Sequence, residues 1–276
     1  MDVPTLEQSL QHRIADVLDR CTACGACAEV CPMPAPAGLE TTEPAALAAG
    51  VLQVLRGGTH AQAERWAEIC SGSGHCIPAC QHEVNPRVML ALARATVLQR
   101  GDAAERRKAA FSRFGAMTQG VRVLSRLQLP PEVLARFRPQ EDGDEPAEVV
   151  FYTGCNVLKT PHIALLCLDI MDAMGIRYTV VGGPSACCGV LQFGAGDLAT
   201  SGRVAFRTID RLAAAAPKAL SWCPTCQVQL GELAAPSKSD SKLDMTPFVR
   251  FLGDNLDRLR PLLRKPVSKR VGLHEH

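Results

Sequence analysis

The sequence has little of what marks several common classes of protein. Its aromatic residues are 8 Phe, 2 Tyr and 2 Trp in 276 residues, too few for a platform on which nucleic-acid bases stack. The net charge of +2 gives no electrostatic footprint for nucleic acid or anionic lipid. No apolar run reaches the roughly 18 residues of a membrane span, and residues 1–20 lack the basic start and apolar stretch of a signal peptide. We therefore expect no nucleic-acid partner, no transmembrane segment and a cytoplasmic location, either free or peripheral at the inner membrane face.

What the sequence does contain is cysteine. There are 13 cysteines, an odd number, and most of them fall in tight groups. Disulfide-stabilised scaffolds are usually short, secreted and even in cysteine count. The pattern therefore favours metal or redox chemistry in a reducing compartment.

The spacing of apolar residues changes along the chain. It predicts helices at 5–20, 43–56 and 60–69 and another that begins at Pro86. Residues 101–146 are charged and less regular, and the polar stretch 140–148 predicts a domain boundary. Beyond it, strands predicted at 148–153, 177–181 and 218–222 alternate with helices at 161–175 and 199–215, and a loop at 235–242 precedes a short helix. This alternation predicts βα units with a parallel sheet.

The first cysteine group is Cys21, Cys24, Cys27 and Cys31, followed by Pro32. Its spacing is that of bacterial ferredoxins, in which three thiolates hold one cluster and the fourth binds the other cluster. Zinc sites space their cysteine pairs more widely, and Gly25 allows the backbone to turn tightly between ligands. The group predicts a [4Fe–4S] cluster.

The second group repeats that spacing with one substitution. Cys70, Cys76 and Cys80 occupy three of the four positions, and Ser73 occupies the fourth. If ligands cross between the runs as in two-cluster ferredoxins, the first cluster takes Cys21, Cys24, Cys27 and Cys80. The second cluster then takes Cys31, Cys70 and Cys76 and has one open corner.

The open corner leaves alternatives. The Cys-x5-Cys-x3-Cys spacing resembles that of the three-iron centre of the succinate dehydrogenase iron–sulfur subunit, which favours a [3Fe–4S] cluster. A [4Fe–4S] cluster completed by Ser73, His75 or water is the rival, and a run that binds nothing is the third interpretation. We expect His75 and His82 to be surface residues.

Five of the remaining six cysteines form a third pattern. Cys155, the pair Cys187-Cys188 and the pair Cys223 and Cys226 each follow a predicted strand. The carboxyl ends of parallel strands meet at one crevice, so these side chains should converge. The sixth, Cys167, lies at an apolar position of a predicted helix, and we expect it to be a core thiol.

This third pattern, with Gly189 after Cys187-Cys188, resembles the CCG domain of heterodisulfide reductases. Related domains occur in the iron–sulfur subunits of glycolate oxidase, anaerobic glycerol-3-phosphate dehydrogenase and lactate-utilisation enzymes. A ferredoxin pair followed by a CCG domain resembles fused forms of heterodisulfide reductase, over most of residues 20–235. The resemblance implies that Cys155, Cys187, Cys188, Cys223 and Cys226 hold a noncubane [4Fe–4S] cluster where a disulfide is cleaved or formed. A structural zinc site is the alternative.

The resemblance also implies a fold and a domain division. We expect a helical ferredoxin-type two-cluster domain at 1–100, a charged helical linker at 101–146 and a βα CCG domain at 147–234. Residues 235–276 would be a linker and the start of a second CCG domain. Residues 271–276 (VGLHEH) resemble 149–154 (VVFYTG), which directly precede Cys155, so the chain stops where a second repeat would begin. The second domain is either truncated or lost, which leaves catalysis by this chain alone open.

Three functions are compatible with these features. The sequence contains no dinucleotide-binding glycine fingerprint and no P-loop, so a flavin would lie on a partner flavoprotein subunit. We favour an oxidoreductase subunit that passes electrons between this flavoprotein and a CCG-bound cluster, which reduces a disulfide or oxidises thiol-bound sulfur. The alternative is a relay subunit of a flavin-linked 2-hydroxy acid (glycolate or lactate) or glycerol-3-phosphate dehydrogenase that feeds quinone through a membrane subunit. The third is a non-redox scaffold with zinc in the CCG site.

Overall fold

The first part of the chain is helical. The computed structural model describes residues 5–137, 146–238 and 240–272. Its helices before the sheet are α1 (Leu6–Arg20), α2 (Ala26–Glu29), α3 (Pro44–Leu55), α4 (Ala61–Ile69), α5 (Cys76–Ala79), α6 (Pro86–Gln99), α7 (Ala103–Gln128) and α8 (Pro131–Ala135), with a 3₁₀ turn at Ala35–Ala37. The four helices predicted in the first hundred residues are present, each within one residue at its ends.

Helix α1 shows why these segments are helical. Thr5 caps it, because its hydroxyl accepts from the Gln8 backbone N–H at 3.2 Å and the Gln8 side chain accepts from the Thr5 N–H at 2.9 Å. Leu6, Leu10 and Ile14 are buried at helical spacing. This face packs into a core that also contains the fully buried Trp66 of α4.

The second part of the chain is a parallel sheet with helices on both faces. Its strands are β1 (Val149–Gly154), β2 (Tyr178–Gly182), β3 (Lys218–Ser221) and β4 (Met245–Pro247). Its helices are α9 (Pro161–Ala173), α10 (Val190–Phe193), α11 (Leu198–Ala215), α12 (Pro224–Cys226), the π-helix Gln227–Ala234, α13 (Phe248–Asp254) and α14 (Leu256–Leu259), with 3₁₀ turns at Asn156–Lys159, Pro184–Ala186, Ala235–Ser237 and Arg260–Leu262. All paired strands are parallel, in the order β2-β1-β3-β4. The predicted class, a helical part followed by a parallel βα part, is confirmed.

The strand order places a crevice at the centre of this sheet. The chain leaves β1 through α9 to reach β2 on one side, then returns through α11 to β3 on the other side of β1. Ligands of open parallel sheets bind at such a reversal, beyond the carboxyl ends of the strands. Strand β1 is buried on both faces, with Phe151 toward α9 and α13 and Tyr152 toward α11. Cys167 lies in the apolar core on the α9 side, as expected.

At the end of the chain, one feature differs from the sequence analysis and another lies largely outside the described residues. The short helix expected after the 235–242 loop is preceded by strand β4, which the sequence analysis missed. β4 has three residues and ends on Pro247, so it lacks the alternating run that identifies a strand. The proposed strand start at 271–276 lies largely outside the described residues, since only 271 and 272 are described and they have no regular structure.

The helical and sheet parts pack directly on each other. Leu6 of α1 lies so close to α11 that a Cβ at Gly202 would be 2.6 Å from the Leu6 Cβ. Arg13 donates to the Glu232 carbonyl at 2.8 Å, and Arg87 of α6 pairs with the Glu232 carboxylate. Helix α7 lies in the segment expected to be a charged linker, and its Met117 packs with cysteines of the sheet part. In the part of the chain that the structure describes, no helix is long and apolar enough to cross a membrane.

Candidate metal centres

The first cysteine site forms around one small cavity. Cys21, Cys24, Cys27 and Cys80 all line it. These are the four residues predicted for the first cluster, three from the first run and one from the second. Helices α2 and α5, which lie within the two runs, contact each other and bring the runs together. The structure therefore brings together the crossed set of cysteines.

The backbone of the first run depends on a glycine. Gly25 has φ +86°, and a Cβ there would lie 2.5 Å from the backbone nitrogen of Ala45. Any other residue would be strained and would clash with the start of α3. Beside this loop, His82 lines the cavity with its Nε2 2.9 Å from the Thr22 hydroxyl. It is half-buried, whereas we expected a surface residue.

Burial controls the acidity of the first site. Removal of Cys27 from water raises its pKa to about 12, and the nearby thiols of Cys21, Cys76 and Cys24 contribute to this rise. Without metal, Cys27 is a neutral thiol at physiological pH. Iron must therefore displace its proton, as expected for a buried cysteine ligand.

The second site has three cysteines. Burial raises the pKa of Cys76 to about 11, and the neighbouring Cys70 and Cys31 add to this shift. Cys31 belongs to the first run, so this set is also the crossed one. Trp66, which is fully buried, donates its indole N–H to the Cys31 sulfur at 3.3 Å.

The surroundings of the second site are basic on one side. Burial raises the pKa of Cys70, while a hydrogen bond with the Gly72 backbone and the positive charges of Arg87 and Arg94 act in the opposite direction. Ser73 and His75, the residues considered for the open corner, are both exposed. The site therefore presents three sulfur donors close to positive charge.

The third site gathers all five cysteines of the CCG pattern. Cys155 follows β1, Cys187 and Cys188 follow β2, and Cys223 and Cys226 follow β3, at the crevice. Their sulfurs form one hydrogen-bonded chain. Cys187 accepts from Cys155 and Cys188, and Cys226 lies between Cys188 and Cys223.

These contacts divide the five sulfurs into two kinds. The hydrogen bond from Cys226 lowers the pKa of Cys223 to about 6. Hydrogen bonds from Cys155 and Cys188 likewise lower the pKa of Cys187. The donors Cys155 and Cys226 have raised pKa values, first because their protons are held in these bonds and then because they are buried. These contacts therefore favour the thiolate form at Cys187 and Cys223 and the thiol form at Cys155 and Cys226.

The backbone around these cysteines is fixed by close contacts. Gly189 has φ +86°, and a Cβ there would lie 2.7 Å from the Ser201 carbonyl oxygen. The Ser201 hydroxyl donates to the Gly189 carbonyl at 3.0 Å, and the Thr208 hydroxyl donates to the Cys187 carbonyl at 2.8 Å. Helix α11 thus holds the Cys187-Cys188-Gly189 turn, which explains the glycine in this motif.

The donor chemistry of all three sites suits iron and sulfide. Among the described residues, no three His, Cys, Asp or Glu side chains close around the position of a single metal ion. The case for metal therefore rests on which cysteines meet and on their chemistry. Iron–sulfur clusters are held by thiolates, and the predicted ligands gathered at each of these sites are cysteines. Five cysteines at one site, two of them adjacent, exceed the four ligands of a zinc site.

Several supporting residues were not found by the sequence analysis. Trp66 lies one helical turn before Cys70, and Arg94 and Met117 lie in helices that carry no cysteine. Met117 packs with Cys155 and Cys187. Only the position of Trp66, so close to a ligand run, offered a signal in the sequence.

Two stretches of the chain match known protein families. Residues 15–36 match a family described as a 4Fe-4S binding domain, and residues 149–231 match the CCG family, described as a cysteine-rich domain. No curated protein and no solved structure matches the chain. The chain is therefore an iron–sulfur protein with a ferredoxin-type domain and a CCG domain, a combination typical of heterodisulfide reductase-like proteins.

Proposed function

We propose that the chain is the electron-transfer subunit of a heterodisulfide reductase-like complex. Electrons pass singly between a flavoprotein partner and the two ferredoxin-type sites, and between these and the five-cysteine site. There a disulfide takes up two electrons and two protons and gives two thiols, or thiol-bound sulfur is oxidised in the reverse direction. The electrons come from, or return to, the flavoprotein.

The observation that carries this proposal is the hydrogen-bonded set of five cysteines at the crevice. A bound four-iron cluster would supply one-electron chemistry at sulfur, which the protein's own side chains lack. The chain's contribution is to place five sulfurs together, to lower the pKa of Cys187 and Cys223, and to bury Cys187 at 0% exposure. Cys223 is half-buried, so this part of the site is nearest to solvent.

The ferredoxin-type sites are arranged for a relay. Cys27 of the first site and Cys76 of the second are close enough for the charge of one to affect the other. We propose a [4Fe–4S] cluster on Cys21, Cys24, Cys27 and Cys80 and a [3Fe–4S] cluster on Cys31, Cys70 and Cys76. The exposure of Ser73 and His75 favours the three-iron form, because neither side chain is held at the open corner.

Metal analysis of the anaerobically purified full-length chain tests the proposal. We expect about 11–12 irons per chain, matching acid-labile sulfide and no zinc. Cys187→Ala should lose about four irons, whereas Cys167→Ala, which removes a core thiol outside the site, should lose none. One zinc with about 7–8 irons would overturn the five-cysteine assignment.

A kinetic measurement separates the two redox functions. The chain is reduced anaerobically and mixed with an organic disulfide, and its visible absorbance is followed. Disulfide chemistry is supported if the disulfide oxidises the reduced wild-type chain but does not oxidise Cys187→Ala. A fully loaded chain that a disulfide does not oxidise would instead be a relay subunit of a flavin-linked dehydrogenase.

A further inference from the structure

A deep cleft lies between the second and the third cysteine sites. Its volume is about 960 Å³, at the upper end of pockets that bind small molecules. One wall is formed by Cys70, Gly72 and helix α6, and the other by Trp222, Pro224, Thr225 and the π-helix. The cleft therefore borders the loop of the second site and the loop that carries Cys223 and Cys226.

The charged side chains that line this cleft are mostly positive. The charged residues that line it are Arg87, Arg94, Arg113 and Glu232. The one carboxylate, Glu232, is already bound by Arg87, whose Nε lies 3.1 Å from Oε2. Arg113 uses one nitrogen to donate to the Gly194 carbonyl at 2.9 Å. The cleft thus has an excess of positive charge, although the whole chain has a net charge of only +2.

Arg94 is the guanidinium that remains available. Within residues 5–137, 146–238 and 240–272 it makes neither a hydrogen bond nor an ion pair, and it is half-buried on the cleft wall. A guanidinium without a carboxylate partner is suited to bidentate binding of a carboxylate.

The opposite wall offers an apolar surface and a spare donor. The indole of Trp222 is 42% exposed there. The side-chain nitrogen of Gln227, another lining residue, is buried without a hydrogen-bond partner in the described part of the chain. Buried unsatisfied groups are rare in proteins and usually indicate a missing partner.

We propose that this cleft binds a small organic disulfide that carries a carboxylate, with Arg94 binding the carboxylate and the sulfur-bearing part directed toward the Cys223 loop. The disulfide part of this inference rests on the proposed function, whereas the recognition of an anion rests on the cleft itself. The reaction is the one given above, in which one S–S bond breaks and two electrons from the flavoprotein and two protons give two thiols.

Calorimetric titration of the oxidised, cluster-loaded chain tests the inference without turnover. The probes are 3,3′-dithiodipropionate, its sulfur-free isostere suberate, and the neutral bis(2-hydroxyethyl) disulfide. We expect both dicarboxylates to bind and the neutral disulfide to bind at least about tenfold more weakly. Suberate distinguishes anion recognition from sulfur chemistry, because its binding does not depend on the proposed function.

Two arginine variants complete the test. Arg94→Gln should weaken dicarboxylate binding at least about tenfold, while Arg107→Gln, an exposed arginine of α7 outside the cleft, should leave it unchanged. Arg94→Lys keeps the positive charge but loses the two parallel N–H donors of the guanidinium, so its affinity for the dicarboxylates should lie between those of the wild type and Arg94→Gln. The inference is overturned if neither dicarboxylate binds at millimolar concentration, if the neutral probe binds equally well, or if Arg94→Gln binds like wild type. Iron content and circular dichroism establish that each variant is folded and loaded.

Arg94 has one other role to be separated from ligand binding, namely its effect on the nearby Cys70. If that were its only role, Arg94→Gln would shift the midpoint potential of the second site and leave the titration with suberate unchanged. That result would refute the binding inference and leave the proposed function intact.

Discussion

The hydrogen bond from Trp66 to Cys31 gives a prediction that can be worked out quantitatively. The Trp66 N–H lies 3.3 Å from the Cys31 sulfur, and the indole is fully buried. An N–H donor stabilises the more negative, reduced form of a cluster held by that sulfur more than it stabilises the oxidised form. Trp66→Phe removes the donor and keeps most of the apolar volume, so the midpoint potential of the second site should fall.

The size of this shift in midpoint potential follows from the free energy that one such hydrogen bond contributes. A hydrogen bond to a charged group contributes about 1.5–3 kcal/mol. The added electron is shared by the whole cluster, so we assign about 0.5–1 kcal/mol, a fraction of that value, to the difference between oxidation states. For a one-electron couple, this corresponds to a decrease of roughly 20–40 mV.

A redox titration followed by electron paramagnetic resonance measures this shift. The first site is held by other cysteines and is an internal control in the same molecule, so its midpoint potential should not change. Leu92→Val is the matched packing control, because it trims a fully buried side chain in the same core without removing a donor. An unchanged or raised potential in Trp66→Phe, or an equal shift in both sites or in Leu92→Val, would refute the reasoning.

Four further variants test the rest of the structure. Electron paramagnetic resonance of Cys80→Ala should lose the four-iron signal and keep the signal of the second site, and Cys31→Ala should do the reverse. Crossed ligation would be contradicted if each variant lost the signal of the site that the rest of its own run forms. Gly25→Ala should destabilise the chain by more than about 2 kcal/mol in chemical denaturation, because φ +86° and the nearby Ala45 backbone exclude a Cβ. A near-neutral effect would mean that the loop adjusts. Glu232→Gln should cost about 1 kcal/mol in the same assay, because it removes the charge that Arg87 binds between the two parts of the chain. An unchanged denaturation midpoint would show that this pair contributes nothing to the packing.

The features that could be predicted from the sequence are those that depend on the local spacing of residues. The runs around Cys21 and Cys70 fix which sulfurs can reach one cavity, and the crossing of Cys80 to the first run follows from that register. The helices near these runs follow from apolar periodicity and caps such as Thr5. The convergence of Cys155, Cys187 and Cys223 follows from the parallel sheet, because each cysteine comes just after a strand.

What could not be predicted depends on contacts between distant parts of the chain. Strand β4 is too short to have a pattern of its own and exists through its pairing with β3. Helix α7 has the composition of a charged linker, yet a few apolar residues such as Met117 are enough to place it over Cys155 and Cys187. The cleft needs Arg94 of α6 and Trp222 beyond β3 on opposite walls, and nothing near either residue in the sequence indicates the other.

The exposure of the three sites suggests a division of labour between different parts of the protein. Cys24 of the first site is exposed, whereas Cys187 of the third site has no exposed surface. On the proposed function, the flavoprotein needs only close approach to the first site, because electrons can cross packed protein. A disulfide must reach its site physically, and on the inference above it would do so through the cleft that borders Cys70 and the two neighbours of Cys223, Trp222 and Pro224. The ion pair between Arg87 and Glu232 lies on this cleft and joins the two parts of the chain. Their packing therefore also sets the width of the cleft, so a variant that loosens it should impair disulfide-dependent oxidation before it impairs reduction of the first site.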